Sequence, residues 1–390
     1  MKKKILAVFL SLCMAMSLLP VTALAAETGE NTPSTQATTK LPEAVNGEIT
    51  LEDDTSLAVT ELQSALTSAY ANATSLTIDL NEKKLTITGA TTTGANTWIE
   101  VPEGKSLTFQ NGEIEAKGYR GTSAVLVPLK DAALTLNQVT MNTDGAALYP
   151  NGNAASITVI DSNITGGTYV LGTNANKVEG DYEHGTGFVL TLTNSKLTAT
   201  HYSQSAQDYD TAAVLINVPC TLTMDQCTVT AGRIGVFVRA GNATITNSTI
   251  KTTGQFEGGA TQYHSGAWKD GNEAPAAGLT VGNYVNGAAS SYEANAVVTL
   301  NNTSVTGENN FPAIYIDANT KYFADLNITG NSTITGAITK GQQTQKGAIS
   351  ITATGGTYTE DPKNVLTIPT GYEIKGDATP WTVGPKTDGM

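Results

Sequence analysis

The 390-residue sequence is poor in charged side chains, in aromatic side chains and in cysteine. Charged residues make up 15% of the chain, aromatic residues make up 6%, and arginine occurs three times. Proteins that bind nucleic acid by neutralising phosphates need clustered Lys and Arg, so a net charge of −13 argues against that class. After residue 26 no apolar stretch approaches the roughly 20 residues of a membrane span. We therefore expect neither a nucleic-acid partner nor a transmembrane segment.

The first 26 residues have the features of a secretory signal peptide. The basic run Lys2–Lys4 precedes an apolar run from Ile5 to Leu19, and Ala23-Leu24-Ala25 supplies the small-residue cleavage site. Residues 27–47 are rich in Thr, Ser, Pro and Gly, which predicts a flexible linker. The sequence thus predicts a secreted, extracellular protein and leaves its association with a cell surface open.

Only two cysteines remain after the signal peptide, because Cys13 lies within it. In an oxidising compartment Cys220 and Cys227 are the one pair that could form a bridge. The strand alternation places both on an inward face, where an unpaired cysteine packs as a small apolar residue. A disulfide and two free thiols therefore both remain open at this point.

A short phrase of alternating apolar and polar residues recurs along the chain. It reads LTLNQVTM from Leu134, ITVIDSNIT from Ile157, LTLTNSKLT from Leu190 and LTMDQCTVT from Leu222. The shortest spacings between equivalent positions are 21 to 23 residues, the length of one solenoid coil, and longer spacings add insertions. Each phrase contains two short strands, and a third precedes it, for example AVLI from Ala213.

This pattern predicts an all-β chain of about ten coils, with three parallel sheets around one stacked core. One apolar position of each phrase should form an inward column, with members Leu136, Val159, Leu192, Met224, Ile245 and Leu300. The turn between the paired strands carries a polar residue whose side chain should hydrogen-bond along the axis, at Asn111, Gln138, Asp161, Asn194, Gln226, Asn247 and Asn302.

Both ends of the predicted solenoid, residues 48–386, need closing, because open sheet edges invite aggregation. At the N-terminal end residues 60–71 predict a capping helix, with a capping box from Thr60 to Gln63. At the C-terminal end residues 355–386 predict a short last coil followed by a closing segment.

The coil phrases and the N-terminal helix resemble the right-handed parallel β-helix proteins of the pectate-lyase-like superfamily. The segment from Gly355 to Val383 is similar to the end of β-helix units in secreted surface proteins of Gram-positive gut bacteria. The resemblance implies a right-handed single-stranded parallel β-helix. It does not choose a function, since this fold hosts lyases, hydrolases and adhesins.

Long insertions, 172–188, 199–211, 252–276 and 282–295, flank the third-strand sheet on both sides. Such loops would form a groove along that sheet, where the related enzymes hold a polysaccharide. Aromatic rings stack on sugars and carboxylates accept hydroxyl hydrogen bonds, although such loops can also simply pack on themselves. We predict ligand-binding roles for Asp181, Tyr182, Glu183, His184, Tyr209, Asp210, Phe237, Tyr263, His264 and Trp268.

Strand alternation also predicts the outward residues of the groove floor, a mostly apolar stripe with members Glu100, Leu126, Leu148, Val170, Leu215, Phe237, Thr280 and Tyr315. Two places further along the strands come Asn217, Arg239 and Asp317. In a lyase, Arg239 and Asp317 would be the catalytic candidates, because the reaction removes a proton beside a uronate carboxylate.

No complete catalytic set is visible, which favours an adhesin-like protein that binds a polysaccharide or cell-surface glycan in the groove. The first alternative is a polysaccharide lyase or glycoside hydrolase acting on an acidic polysaccharide, and the second is a structural stalk. No metal site is predicted, and Ca²⁺ enters only if the chain is a lyase. The oligomeric state is left open.

Overall fold

The chain folds as a right-handed single-stranded parallel β-helix. The structure, a computed structural model, describes residues 37–89, 98–119, 123–173, 177–178, 181–182, 184–200, 212–254, 276–282, 294–318, 322–341 and 348–387. Each full coil contributes one strand to each of three faces, which we call face 1, face 2 and face 3 in chain order. Strands of successive coils pair in parallel on every face.

Faces 1 and 2 form one continuous sheet, because two long strands bend across the corner between them, and two antiparallel C-terminal strands bring this sheet to 22 strands. The two long strands are Ser106–Lys117 and Ala133–Thr143. The other strands of face 1 are Glu48–Thr50, Ser75–Asp79, Ser156–Ile160, Val189–Thr193, Thr221–Asp225, Gly241–Thr246, Ala296–Asn301, Ala324–Thr329 and Ile349–Ala353. The other strands of face 2 are Thr55–Ala58, Lys84–Thr88, Asn163–Gly166, Lys196–Ala199, Thr228–Ala231, Thr249–Thr252, Ser304–Gly307, Thr333–Thr335 and Thr357–Tyr358.

Face 3 is a separate 9-stranded parallel sheet. Its strands are Ile99–Val101, Ala124–Pro128, Ala146–Leu148, Tyr169–Gly172, Ala212–Ile216, Ile234–Val238, Ala277–Val281, Ile314–Ile316 and Ile338–Lys340. A small antiparallel pair, Lys177–Val178 with Asp181–Tyr182, lies in the insertion that follows the fourth of these strands.

The predicted inward column of face 1 is confirmed. Val159 pairs with Leu136 and with Leu192, and the series continues through Met224, Ile245 and Leu300 without skipping a coil. Every member is buried. Because the alternation has a period of two, a slip of one residue would have turned this column toward solvent, so the apolar pattern sets the register.

The corner between faces 1 and 2 is made by residues in the left-handed region. The φ angles of the seven predicted turn residues run from 44° at Asn194 to 58° at Asn111. Asn and Asp tolerate this conformation better than other residues with a side chain, which explains why they recur there. Axial hydrogen bonds also form, for example from Asn194 Nδ2 to Asp161 Oδ1 at 2.6 Å and from Asn247 Nδ2 to Asp225 Oδ1 at 3.0 Å.

A second ladder, which the sequence analysis missed, lies buried behind this corner. The Ser248 hydroxyl donates to the Thr246 carbonyl at 2.7 Å and accepts from the Cys227 backbone N–H at 3.0 Å. Other coils repeat the arrangement with Ser162, Ser195, Thr303 and Ser332. We call this series the hydroxyl ladder.

Cys227 occupies one rung of the hydroxyl ladder, and its Sγ donates to the Asp225 carbonyl at 3.4 Å. Cys220 and Cys227 are both buried free thiols. Burial raises the pKa of Cys220 to about 12 and that of Cys227 to about 11.

A helix follows the first strand of face 2, at the point in the coil where later coils have a strand of face 3. It runs Val59–Tyr70, one residue earlier than predicted, and it buries Val59, Leu62, Leu66 and Tyr70. The predicted capping box from Thr60 to Gln63 is wrong, because the Glu61 carboxylate accepts the hydrogen bond from the Ala58 backbone N–H at 2.9 Å.

Part of the segment predicted as a linker also packs on the first coil. Thr38 bridges Thr55, and Leu41 is buried in the core. The polar composition of residues 27–47 concealed this contact, which the backbone hydrogen bonds of Thr38 and the buried Leu41 side chain make.

At the other end, Thr357–Tyr358 pairs with the antiparallel strand Trp381–Pro385, which also pairs with Tyr372–Lys375. Among the residues described, no helix is long and apolar enough to cross a membrane.

Candidate functional site

The central strands of face 3, from Ala124–Pro128 to Ala277–Val281, are buried on both sides, and this corrects part of the predicted outward stripe. Leu126 is in register with Ile99, and with Leu148 and Val170 it belongs to the inner core. The strand alternation counted from the sequence was displaced by one residue in these early coils. The outer column there contains Val127 instead, which packs in a separate outer cluster with Leu215 and Phe237.

The later coils follow the prediction. Leu215 pairs with Phe237, Phe237 with Thr280, and Thr280 with Tyr315. A parallel row lies two residues further along each strand, where Asn217, Arg239, Gly282, Asp317 and Gly341 occupy successive coils. We call this second series the polar row.

Arg239 is the largest fully buried side chain of the described chain, with 1% of its surface exposed. Its guanidinium carbon lies 4.3 Å from the centroid of the Phe237 ring, a cation–π contact along the same strand. Phe237, predicted to bind ligand, is itself 3% exposed. The ring therefore supports the guanidinium and presents little surface to solvent.

Asp317 is held in one orientation by its neighbours. Its Oδ2 accepts a hydrogen bond from the Tyr315 hydroxyl at 3.1 Å, and its Oδ1 accepts one from the Ala318 N–H at 2.9 Å. A Cβ atom at Gly341 would lie 1.9 Å from Asp317 Oδ2. The absence of a side chain at Gly341 thus leaves room for the Asp317 carboxylate. The Tyr315 side chain is only partly buried.

Arg239 and Asp317 share the polar row but are not direct neighbours. The Gly282 N–H donates to the Val238 carbonyl and the Asp317 N–H donates to the Val281 carbonyl, so one coil separates them. At about 4.8 Å per coil, their backbones lie about 10 Å apart. The intervening position is Gly282, with φ of +92°, where a Cβ atom would collide with the Asp317 carbonyl oxygen.

Two polar atoms beside the polar row have no hydrogen-bond partner. They are Asn217 Oδ1 and Thr280 Oγ1, and both residues are buried. The Asn217 amide is fixed by its Nδ2, which donates to the Thr173 carbonyl at 3.0 Å. Leaving a buried polar atom unsatisfied costs about 1–3 kcal/mol. Such atoms in a native fold need an explanation, and a bound ligand is one.

The structure brings one predicted histidine to the same face. His184 packs edge-on against Tyr149, with ring centroids 5.6 Å apart, and its Nδ1 lies 3.2 Å from Asn151 Oδ1. Tyr149 follows Leu148 and stands in the outer column of face 3. Of the neighbouring predicted residues, Asp181 is exposed and Tyr182 packs partly against the core.

The remaining predicted residues lie outside the described part of the chain, namely Glu183, Tyr209, Asp210, Tyr263, His264 and Trp268. Tyr149 and Asn151 were not among the predicted residues. The strand alternation that wrongly placed Leu148 outward also placed Tyr149 inward, whereas Tyr149 points outward as Val127 does.

The described residues offer few ligands for a metal ion. No group of three or more His, Cys, Asp or Glu side chains clusters among them. Ca²⁺ takes about six to eight oxygen ligands, so Asp317 and Asn217 would supply only a fraction of such a site.

No protein-family model and no curated protein matches the chain. Among solved structures, a double-mutant form of the periplasmic alginate epimerase AlgG is similar, with a TM-score of 0.40, 11% identity, and coverage of 85% of this chain and 77% of that chain. The A-module of the Azotobacter vinelandii mannuronan C-5 epimerase AlgE4 is similar with a TM-score of 0.27 and 11% identity, covering 75% of this chain and 95% of that chain. The likeness concerns the parallel β-helix fold.

Proposed function

We propose that this protein acts on an acidic polysaccharide at the polar row of face 3. The observation that carries the proposal is the arrangement of Arg239, Gly282 and Asp317 on consecutive coils, with Tyr315 hydrogen-bonded to the carboxylate. This was the alternative in the sequence analysis, and it now takes precedence over an adhesin-like role.

The arginine suits a uronate carboxylate. A guanidinium binds carboxylates through two parallel hydrogen bonds, and its attraction for an anion is stronger where water is excluded. Arg239 is almost completely buried and is supported by the Phe237 ring. Asn217 is its neighbour in the polar row, and the unpartnered Asn217 Oδ1 would accept a hydrogen bond from a sugar hydroxyl.

Tyr315 and Asp317 suit proton transfer. Tyr315 oxygen would take the proton from the carbon beside the uronate carboxylate, while the Tyr315 hydroxyl proton passes to Asp317 Oδ2. Arg239 would stabilise the resulting enolate. In a lyase the enolate then expels the neighbouring glycosidic oxygen, a carbon–carbon double bond forms, and the proton stored on the pair goes to the leaving oxygen.

Hydrolysis fits the described residues less well. A glycoside hydrolase of the usual kind needs two carboxyl groups about 5–10 Å apart across the bond to be cleaved. Within the described part of the polar row, Asp317 is the one carboxylate. Proton abstraction needs only one acid–base pair and a cation, which Tyr315 with Asp317 and Arg239 would supply.

The test is turnover of acidic polysaccharides. Wild-type protein is incubated with polygalacturonate, alginate and hyaluronan, and the ultraviolet absorbance of unsaturated uronate is followed, with NMR to detect inversion at the acidic carbon. We expect Tyr315→Phe and Asp317→Asn to lower kcat by about 100-fold or more, the usual size of an acid–base contribution. The exposed Thr244→Ala on face 1 is the matched control.

A binding protein without chemistry is the second candidate, favoured by the Tyr149–His184 aromatic pair on the same face. It would bind one of these polysaccharides and leave it unchanged, in which case the two acid–base variants would bind as wild type does. If no acidic polysaccharide is either bound or altered, the proposed function is wrong.

We also propose that the protein works outside the cytoplasm, with residues 1–26 removed as a signal peptide. The support is the order of basic, apolar and small residues in that segment. N-terminal sequencing of the mature protein tests it, and a mature chain that begins at Met1 would contradict it.

A further inference from the structure

A cavity lies at the N-terminal end of face 3, away from the polar row. It has a volume of about 400 Å³ and is bounded by the Val59–Tyr70 helix on one side and by Trp98 and Glu100 on the other. Glu100 stands in the same outer column as Phe237 but five coils earlier, which is about 24 Å along the axis at 4.8 Å per coil. The cavity is therefore separate from the proposed catalytic groups.

The walls of this cavity are fixed to each other by a pair of hydrogen bonds. The Glu100 backbone N–H donates to Gln63 Oε1 at 2.7 Å, and Gln63 Nε2 donates to the Glu100 carbonyl at 3.4 Å. The Gln63 side chain thus pairs with the edge of face 3 as a neighbouring strand would. This contact holds the helix at a set distance from Trp98.

Trp98 is the aromatic residue of the cavity lining, and a hydrogen bond holds its ring in one orientation. Its Nε1–H donates to Glu100 Oε1 at 2.8 Å, which fixes the indole, and part of its ring packs on the outer cluster of face 3. The other polar groups of the lining are mostly hydroxyls, from Thr60, Ser64, Thr67 and Ser68. These four side chains are exposed, and those of Thr67 and Ser68 donate to helix carbonyls, which leaves their oxygens as acceptors.

We infer that this cavity binds an uncharged saccharide by stacking one sugar ring on Trp98. An aromatic face, a carboxylate oxygen and a rim of hydroxyls are the groups that recognise a ring with several hydroxyls. Glu100 is the one charged residue of the lining, so an acidic sugar is repelled while a neutral one hydrogen-bonds to it. The inference does not depend on the proposed function, because it concerns other residues and an uncharged ligand in place of an acidic one.

The experiment measures binding of neutral hexasaccharides from glucan, xylan, mannan and galactan by isothermal titration calorimetry. We expect at least one of them to bind, and Trp98→Ala to weaken its binding by at least 10-fold while Trp98→Phe weakens it less. Trp381→Phe, which changes a tryptophan at the opposite end of the described chain, should leave binding unchanged. The melting temperature by circular dichroism checks that each variant is folded.

The outcomes separate this inference from the proposed function. Arg239→Gln should leave neutral binding as it is, and Trp98→Ala should leave turnover of acidic polysaccharide as it is. If none of the four neutral hexasaccharides binds, or if folded Trp98→Ala and Trp98→Phe both bind as wild type does, the inference is overturned. Loss of neutral binding in Arg239→Gln would place the ligand at the polar row and would also overturn it.

Discussion

Removing one hydroxyl from the hydroxyl ladder should destabilise the fold more than its size suggests. Ser248 is buried, and its Oγ satisfies two backbone groups at once: the Thr246 carbonyl at 2.7 Å and the Cys227 N–H of the preceding coil at 3.0 Å. In Ser248→Ala the buried Cys227 N–H loses its partner, whereas the Thr246 carbonyl keeps the hydrogen bond from the Gln226 N–H. At about 1–3 kcal/mol for an unsatisfied group, we expect a loss of about 1–3 kcal/mol in the free energy of unfolding.

Two further variants test the reasoning. Cys227→Ser replaces a long thiol hydrogen bond of 3.4 Å with a hydroxyl on the same rung, and we expect it to be neutral or to stabilise by up to about 1 kcal/mol. Thr244→Ala removes an exposed hydroxyl from face 1 and should change stability by less than about 0.5 kcal/mol.

The assay is equilibrium unfolding in urea followed by circular dichroism, combined with hydrogen exchange of the Cys227 amide. Coils of a solenoid can open locally, so exchange at that amide reports the lost hydrogen bond even if global unfolding has several steps. We expect the amide to exchange faster in Ser248→Ala only. If Ser248→Ala matches Thr244→Ala in both measurements, the hydroxyl ladder does not carry the stability assigned to it.

Four further predictions concern closely packed side chains and buried thiols. Leu192→Ala should lower the free energy of unfolding by about 2–5 kcal/mol in urea titrations, because it leaves a cavity in the inward column. Gly341→Ala should displace the Asp317 carboxylate and lower turnover of acidic polysaccharide by at least 10-fold in the same absorbance assay, with little effect on neutral saccharide binding. Cys220 and Cys227 should resist iodoacetamide at pH 8 in the folded protein, as mass spectrometry would detect, because their pKa values are raised to about 12 and about 11. Since the unfolded thiols ionise near pH 9, the folded state should lose stability as pH rises above 9, which unfolding midpoints would show.

The inward column illustrates what local sequence determines. Each phrase alternates apolar and polar residues, and this period of two decides which side chains point inward wherever the strand lies. The corner residues are equally local, because Asn and Asp reach a positive φ at low cost. Hence the coil length, the register of Leu136 through Leu300, and the turn positions could all be predicted.

Face 3 shows where that reasoning ends. Its strands are apolar on both sides, so the sequence shows no alternation of apolar and polar residues. The inward or outward direction of each side chain must then be counted from a residue whose direction is already known. The count was displaced at Leu126 and Leu148, and Tyr149 was missed for the same reason. Only the pairing of Ile99 with Leu126 in the folded chain decides which of these residues points outward.

The candidate site depends still more on tertiary structure. Arg239, Gly282 and Asp317 are 43 and 35 residues apart in sequence, yet they occupy consecutive coils. Insertions of different lengths separate them, so sequence spacing carries no distance information. Hydrogen bonds of the hydroxyl ladder likewise join residues that are 21 to 55 positions apart in sequence. The hydrogen bond between Gln63 and Glu100 joins residues 37 positions apart. Local pattern determined the strands, whereas contacts between coils, made only once the chain has stacked, decided which polar groups meet.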